Sequence, residues 1–323
     1  MRIAFAGSFA VRLAESVRMR LSVPCEVIMD DEVGILSRLA GVDVLISMCF
    51  TKEMADAGAR LKLIQVPGAG LDRIERGALR PGMRLANAFG HEVGIAEYVI
   101  GAMIALQRSF SRIDAKLRGG QWESQWAVAA PPPPPWPELA GKTLGILGFG
   151  HIGRALASRA WAFDMRVCAI RRQAGPEAPG GLSSIGGPER LDDVLGQADF
   201  VVITLPLSPQ TQGLLDARRL RLMKSTAYLI NVARAEIIDE AALYRALATG
   251  GLAGAALDVW YRYPTATEMT LPATQPFHEL GNVIMTPHVS GWTEGTLDAR
   301  ARLIATNIER TIRGEPPLNT IDP

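Results

Sequence analysis

Cysteine is scarce in this chain of 323 residues, and its scarcity excludes two structural classes. The three cysteines, Cys25, Cys49 and Cys168, are odd in number, widely separated and never arranged as Cys-x-x-Cys. A disulfide framework needs an even set, and a structural zinc site needs paired ligands. We therefore expect buried thiols that act as small apolar side chains, and no metal site.

The chain also lacks an excess of charge of one sign and a long apolar run. Its 34 Lys and Arg balance 33 Asp and Glu, so no strong field attracts nucleic acid or an anionic membrane. The longest apolar run, residues 95–106, is interrupted by Glu97 and is shorter than the roughly 20 residues of a bilayer span. We expect neither a nucleic-acid partner nor a membrane partner.

The N-terminal segment does not have the pattern of a signal peptide. Its short apolar run stops at Gly7, and a periodic helix containing Arg12 and Glu15 follows. This order is typical of a strand, a turn and a helix. The sequence thus favours a cytoplasmic protein.

Short β-rich runs alternate with helical segments in two series along the chain. The first series covers residues 2–87, and a second, larger one begins with the run TLGILGFG at residue 143. Such alternation predicts an α/β protein with two doubly wound parallel-sheet domains. We expect the larger domain over residues 101–289 and the smaller one over residues 1–100 plus 290–323.

Three connecting segments carry further predictions. Apolar spacing over residues 95–117 predicts one long helix that leaves the first domain, and a helix over residues 294–313 is expected to return to it. Between the two β-rich series, residues 131–135 and Pro137 are all proline, which favours an extended polyproline segment. The segment is interpreted as a stiff surface connector, with a recognition ligand as the alternative.

A glycine-rich motif follows the first strand of the second series. The sequence Gly148-Phe149-Gly150-His151-Ile152-Gly153 comes directly after an apolar strand and opens a helix. In this context the glycines permit a tight turn, the approach of a pyrophosphate, and close packing of helix on strand. The motif predicts a dinucleotide cofactor.

The next strand ends in Arg171 and Arg172, where an NAD site has an acidic residue for the ribose hydroxyls. Two guanidinium groups suit a 2′-phosphate, so NADP(H) is favoured and NAD(H) remains possible. The alternative is that both are solvated surface arginines beside an unselective site.

Three stretches together resemble the D-isomer-specific 2-hydroxyacid dehydrogenase family. They are ELAGKTLGILGFGHIGRALA at residues 138–157, the run from PLSPQTQGLLD to INVARAEIIDEAAL at residues 206–243, and GAALDVW with NVIMTPHVSGWT at residues 254–293. The resemblance covers nearly the whole chain. It implies a Rossmann dinucleotide-binding domain over residues 101–289 and a smaller flavodoxin-like substrate domain over residues 1–100 plus 290–323. It implies an NAD(P)-dependent enzyme that interconverts a small 2-keto acid and its D-2-hydroxy acid, and a homodimer formed through the helix that begins near residue 95.

The resemblance also implies the roles of individual residues. Arg234, after the run INVA, corresponds to the arginine that binds the substrate carboxylate and carbonyl, and His288 of Thr286-Pro287-His288 to the acid/base. Further residues correspond to substrate-binding or cofactor-binding positions. The substrate set is Gly68, Ala69, Gly70 and His91, and the cofactor set beyond the glycine motif is Leu205, Pro206, Thr211, Val232, Ala233, Asp258 and Gly291.

The sequence departs from the family at Tyr263, which precedes Pro264 where the family has a glutamate that orients the histidine. A phenol can orient an imidazole but carries no charge at neutral pH. Three interpretations follow: a less basic His288, replacement of the missing charge by another carboxylate such as Glu92, or loss of turnover. Two other functions stay open, a dinucleotide-binding regulatory protein with little turnover and a formate-like oxidation of a small anion beside Trp260 and Trp292.

Overall fold

The computed structural model describes residues 1–128, 131–172, 180–265 and 269–321. Its strands are β1 (Arg2–Ala6), β2 (Glu26–Asp30), β3 (Val44–Ser47), β4 (Leu63–Gln65), β5 (Arg84–Ala86), β6 (Thr143–Leu147), β7 (Arg166–Ile170), β8 (Ser184–Gly186), β9 (Phe200–Ile203), β10 (Tyr228–Asn231), β11 (Gly254–Leu257), β12 (Val283–Met285) and β13 (Thr320–Ile321). Its α-helices are α1 (Ser8–Arg18), α2 (Lys52–Ala57), α3 (Glu92–Gln107), α4 (Phe110–Arg118), α5 (His151–Ala162), α6 (Leu191–Gln197), α7 (Ala217–Leu220), α8 (Glu240–Ala248) and α9 (Glu294–Ile312). These elements form two compact units, residues 1–91 with 293–323 and residues 92–292.

The first unit contains a six-stranded sheet in the order β13-β5-β4-β3-β1-β2. Strands β1 to β5 are parallel, and their order 2-1-3-4-5 is the flavodoxin-like order. The apolar faces of α1 and α9 bury residues such as Leu13, Val17, Ile304 and Ile308 in one cluster on this sheet. Helix α9 therefore stabilises the unit that contains the N-terminal strands.

The second unit contains a seven-stranded parallel sheet in the order β12-β11-β10-β9-β6-β7-β8. Counted from β6, the order is the 3-2-1-4-5-6 of a Rossmann fold with β12 added at one edge. All residues of β6, β9 and β11 are buried, because helices cover both faces of the sheet. The prediction of two doubly wound sheets, one Rossmann and one flavodoxin-like, is confirmed.

The prediction of a single long helix over residues 95–117 is wrong. Helix α3 ends at Gln107, and α4 begins at Phe110 after Ser109, whose φ of 49° lies in the left-handed region. One left-handed residue breaks the ladder of i to i−4 hydrogen bonds, although apolar spacing continues across it. The first sheet is also not wholly parallel, because β13 pairs antiparallel with β5.

Other parts of the chain agree only partly with expectation. Cys168 is buried, but Cys25 and Cys49 are half-buried, so the expectation of buried thiols is wrong for two of the three. Residues 131–137 form neither helix nor strand, and most of their prolines are exposed. Among the described residues, no helix is both long and apolar enough to span a bilayer.

Candidate active site

The three motif glycines in the turn from β6 to α5 differ in the space that a side chain would have. A Cβ on Gly148, whose φ is 110°, would lie 2.9 Å from the backbone nitrogen of Leu205, and one on Gly153 would lie 2.5 Å from the carbonyl oxygen of Gly148. A Cβ on Gly150 would meet no protein atom within 4 Å. Gly148 and Gly153 are thus required for packing, whereas Gly150 leaves open space at the start of α5.

That open space has the properties of a pyrophosphate site. Helix α5 has Gly150 as its N-cap and no side-chain cap, so its first turn presents amide donors and the positive end of the helix dipole. The hydroxyl of Thr204 donates to the carbonyl oxygen of Gly148 at 2.6 Å, which holds the end of β9 against the turn. The residues present fit a dinucleotide. Phe149, 5% exposed, packs in the core below it.

Two arginines follow β7, the strand beside the glycine turn. Arg171 is half-buried, its amide donates to the carbonyl oxygen of Gly186, and Arg172 is exposed. In the described part of the chain, the buried Nε of Arg171 has no hydrogen-bond partner. An unsatisfied guanidinium nitrogen at this strand end suits an anionic group of a ligand.

The remaining predicted cofactor residues occupy the ends of neighbouring strands. Leu205 and Pro206 follow β9, and the Thr211 hydroxyl donates to the Pro206 carbonyl oxygen at 2.7 Å, closing the 206–211 turn. Val232 and Ala233 are nearly buried after β10. Gly291 follows β12 and is half-buried. These residues lie beyond the carboxyl ends of the strands, where ligands bind in doubly wound sheets.

Arg234 is held by a turn that Asn231 organises. The Asn231 side chain, 1% exposed, accepts from the amide of Ala233 at 3.0 Å and donates to the carbonyl oxygen of Arg234 at 2.8 Å. The Arg234 guanidinium donates to the Ala233 carbonyl oxygen at 2.7 Å. This packing fixes the direction in which the arginine leaves the end of β10.

Tyr263 and His288 form the central pair of the site. The phenol oxygen lies 2.7 Å from Nδ1 of the imidazole and also accepts from the amide of Trp260 at 3.4 Å. Burial raises the pKa of the Tyr263 phenol, although the Trp260 amide and the nearby Arg234 charge act to lower it. The phenol therefore stays protonated at neutral pH, and the guanidinium of Arg234 lies close enough to act on it electrostatically.

The pair has defined proton chemistry. When the imidazole is neutral, the phenol donates to Nδ1, and the imidazole proton resides on Nε2. When the imidazole is protonated, Nδ1–H donates to the phenol oxygen instead. Tyr263 orients the ring in both forms, but it supplies no negative charge to favour the protonated form.

Asp258 is buried at the end of β11, with no exposed surface. Its carboxylate accepts hydrogen bonds from the Thr286 hydroxyl and from the amides of Val289 and Ser290. All three donors belong to the segment that contains His288. The charge therefore organises the segment after β12, a relationship that the sequence did not reveal.

The sequence also did not show that Thr286, Trp260 and Tyr98 belong to the hydrogen-bond network around Asp258. Trp260 is 5% exposed and packs against Phe277, and its indole donates to the Thr286 carbonyl oxygen at 2.8 Å. It is a core residue rather than a wall of a ligand pocket. The expectation that it lines the site beside Trp292 is wrong.

The predicted substrate loop belongs to the first unit. The carbonyl oxygens of Gly68 and Ala69 accept from the amide of Ala88 and the side chain of Asn87. Within the described ranges the amides of Gly68, Ala69 and Gly70 form no hydrogen bond, so they remain available to an anion. His91, 7% exposed, is the last residue of the first segment of this unit, and its ring is stacked on that of Phe89.

Two further observations concern Glu92 and potential metal ligands. Glu92 is the first residue of α3, where a carboxylate is favoured by the helix dipole. No cluster of three or more potential metal ligands occurs in the part of the chain that the structure describes.

Comparisons with known proteins show which family this chain is similar to. Residues 100–290 match the family model of the D-isomer specific 2-hydroxyacid dehydrogenase, NAD binding domain. A glyoxylate reductase of Thermococcus kodakarensis is 34% identical over 289 residues, which cover 88% of this chain and 84% of that protein. A D-3-phosphoglycerate dehydrogenase of Methanocaldococcus jannaschii is 32% identical over 89% of this chain, but only 53% of that longer protein is covered.

A solved structure has the same fold. The structure of an acyclic imino acid reductase in complex with NADPH and D-Arg matches with a TM-score of 0.82 and 25% identity, over 100% of both chains. The chain belongs to the D-isomer specific 2-hydroxyacid dehydrogenase family. It is a 2-hydroxyacid dehydrogenase that uses a nicotinamide dinucleotide and acts on small 2-keto or 2-hydroxy acids.

Proposed function

We propose that this protein reduces a small 2-keto acid such as glyoxylate to the 2-hydroxy acid, forming the D isomer where the product is chiral. The observation that carries the proposal is the Tyr263–His288 pair at 2.7 Å, with the charge of Arg234 acting on the same phenol. Reduction of a 2-keto acid requires a proton donor together with a cation that binds the carboxylate.

In the proposed mechanism Arg234 binds the substrate carboxylate and polarises its carbonyl group. In the first unit, the proposed anion-binding groups are the amides of Gly68, Ala69 and Gly70, with His91 as a further polar group. When bound, the nicotinamide supplies a hydride to the carbonyl carbon. His288 gives a proton to the carbonyl oxygen as negative charge develops there, and Tyr263 keeps the imidazole directed during the transfer.

The proposed cofactor is NADP(H), with NAD(H) as a slower substitute. Gly148, Gly150 and Gly153 with the first turn of α5 would hold the pyrophosphate, while Arg171 and Arg172 would bind the 2′-phosphate. The unpartnered Nε of Arg171 supports this preference. The flanking residues Phe149, His151 and Ile152 shape the same turn, and the predicted cofactor residues after β9, β10 and β12 would line the adenosine and nicotinamide sides. Asp258, which was also predicted to contact the cofactor, is not among them, because it has no exposed surface.

The two domains are proposed to have different roles. Residues 1–100 with 290–323 would form the substrate domain, whose anion-binding groups are the amides of Gly68, Ala69 and Gly70, and residues 101–289 would hold the dinucleotide and also supply Arg234 and His288. We also propose a homodimer. It is supported by exposed apolar side chains on and after α4, namely Phe110, Leu117, Trp122 and Trp126. Light scattering after size exclusion should give a mass near twice 34.8 kDa.

The test of the reaction is a panel of 2-keto acids with NADPH and NADH. We expect loss of reduced cofactor with glyoxylate, pyruvate or hydroxypyruvate, and D-lactate as the product from pyruvate. Arg234→Gln should raise the KM for the keto acid and lower kcat, whereas Arg245→Gln, which removes an exposed charge on α8, should change neither. The proposal would be contradicted if neither NADPH nor NADH were oxidised with any of the acids, or if pyruvate gave L-lactate.

A second candidate is the reduction of 2-imino acids, and the neutral partner of His288 favours it. An iminium carries its proton before hydride transfer and needs no strong acid, so a phenol at Tyr263 suffices where a carboxylate is absent. The similar imino acid reductase bound to NADPH supports this alternative. With pyruvate and methylamine, production of N-methylalanine faster than lactate would favour it, and lactate alone would exclude it.

A further inference from the structure

The buried carboxylate of Asp258 holds the segment that contains His288. It accepts from the Thr286 hydroxyl at 2.6 Å and from the amides of Val289 and Ser290, each at 2.9 Å. Within the described ranges these donors, rather than a lysine or arginine, satisfy the charge. Because a buried charge is costly without hydrogen bonds, the network strongly disfavours movement of residues 286–290.

His288 itself has a backbone conformation that needs such support. Its φ of 57° is in the left-handed region, which is uncommon for a residue with a side chain. Its amide donates to the Thr286 carbonyl oxygen at 3.0 Å, and Val289 on its other side is bound to Asp258. The direction of the imidazole therefore depends on how firmly Thr286 and Val289 are held.

Tyr98 reaches this network from α3. Its hydroxyl lies 2.6 Å from the hydroxyl oxygen of Thr286. A carboxylate only accepts hydrogen bonds, so the single hydroxyl proton of Thr286 goes to Asp258, and Tyr98 must donate to Thr286. Burial raises the pKa of the Tyr98 phenol, which keeps that proton in place. The bonds run in one direction, from Tyr98 through Thr286 to Asp258.

We propose that Tyr98 is a positioning residue that fixes the left-handed backbone at His288, and with it the aim of the imidazole, through the chain Tyr98–Thr286–Asp258. The inference rests on the proposed role of His288 as the proton donor. Tyr98 touches neither substrate nor cofactor in this account. Its effect is carried entirely by the Thr286 hydroxyl.

A double-mutant cycle tests the chain. Tyr98→Phe should lower kcat about tenfold with the cofactor dissociation constant unchanged, because a small misplacement of a proton donor slows transfer without weakening binding. Thr286→Val should lower kcat about a hundredfold, and Thr286→Ser, which restores the hydroxyl, should recover most of that loss. Adding Tyr98→Phe to Thr286→Val should cause no further loss, because Tyr98 acts only through this hydroxyl. Additive losses would overturn the proposal.

A second measurement separates positioning from stability and from failure of the proposed reaction. Only four histidines occur, so the imidazole signal of His288 can be assigned in proton NMR by its loss in His288→Gln. Tyr98→Phe should shift or broaden that signal and leave His151 and His278 unchanged, even if no keto acid is reduced. Tyr228→Phe, which removes another half-buried phenol stacked on Phe200, is the control. A lower melting temperature with an unmoved His288 signal would mean a merely structural role.

Discussion

Tyr263 and His288 are joined by a hydrogen bond of 2.7 Å between the phenol oxygen and Nδ1 of the imidazole. Burial raises the pKa of the phenol, so the bond joins a neutral group to the histidine over the ordinary assay range. The geometry of an oriented proton donor is therefore present without the adjacent carboxylate that would raise the pKa of the histidine. This relationship sets the expected pH dependence of the enzyme.

Replacement of Tyr263 by glutamate should move the pH profile of reduction to higher pH. Reduction needs the protonated imidazole, so its rate falls as pH rises through the pKa of His288. A carboxylate beside Nδ1 stabilises the imidazolium and should shift the midpoint upward by about one to two units. The measurement is kcat/KM for a keto acid against pH.

Tyr263→Phe is the matched variant for that experiment. It keeps the ring and removes the hydroxyl, so it should lower kcat about tenfold through loss of orientation, without an upward shift of the midpoint. A midpoint that stays in place in Tyr263→Glu would show that residue 263 does not control the protonation of His288.

Arg171→Ala should weaken the binding of NADPH and have little effect on the binding of NADH. If the guanidinium binds the 2′-phosphate through charge-assisted hydrogen bonds, its loss should raise the KM for NADPH about ten- to a hundredfold and leave the KM for NADH within about twofold. Arg166→Ala, at the exposed start of the same strand, controls for the change in net charge. Equal effects on both cofactors would mean that Arg171 does not distinguish them.

Gly150→Ala should weaken cofactor binding, whereas Gly153→Ala should lower stability. At Gly150 the new Cβ meets no protein atom, so stability should be unchanged while the cofactor dissociation constant rises, because the methyl group occupies the space of the pyrophosphate. At Gly153 the Cβ would lie 2.5 Å from the Gly148 carbonyl oxygen, so the melting temperature should fall by several degrees. Calorimetry and fluorescence titration give the two quantities. A destabilised Gly150→Ala with intact cofactor affinity would contradict this division.

Local signals in the sequence predicted the parts of the fold that depend on local chemistry. The apolar strand before Gly148 and the helix after Gly153 indicated the Rossmann turn, and alternation of strands and helices indicated two doubly wound sheets. The break at Ser109 depends on the backbone conformation of one residue, which apolar spacing does not encode. Strand β13, two residues long, is too short for any period to be recognised.

The hydrogen bonds that hold the candidate site in place could not be predicted from the sequence, for a different reason. Asp258 organises residues 286–290 through two backbone amides and one hydroxyl more than 25 positions away, and backbone amides leave no mark on the sequence. The place of Tyr98 was also unreadable, because a tyrosine on an apolar helix resembles any core residue. Family resemblance indicated Arg234 and His288, but only the structure reveals what holds them.

The most direct test of the account is the rate of single-turnover reduction of a 2-keto acid by the NADPH-loaded enzyme, measured for wild type and His288→Gln. We expect the rate of the variant to fall about a thousandfold with cofactor affinity unchanged, which is the loss expected when a general acid is removed. His278→Gln, an exposed histidine beside Glu279, should keep the wild-type rate. A wild-type rate in His288→Gln would contradict the assignment of the proton donor.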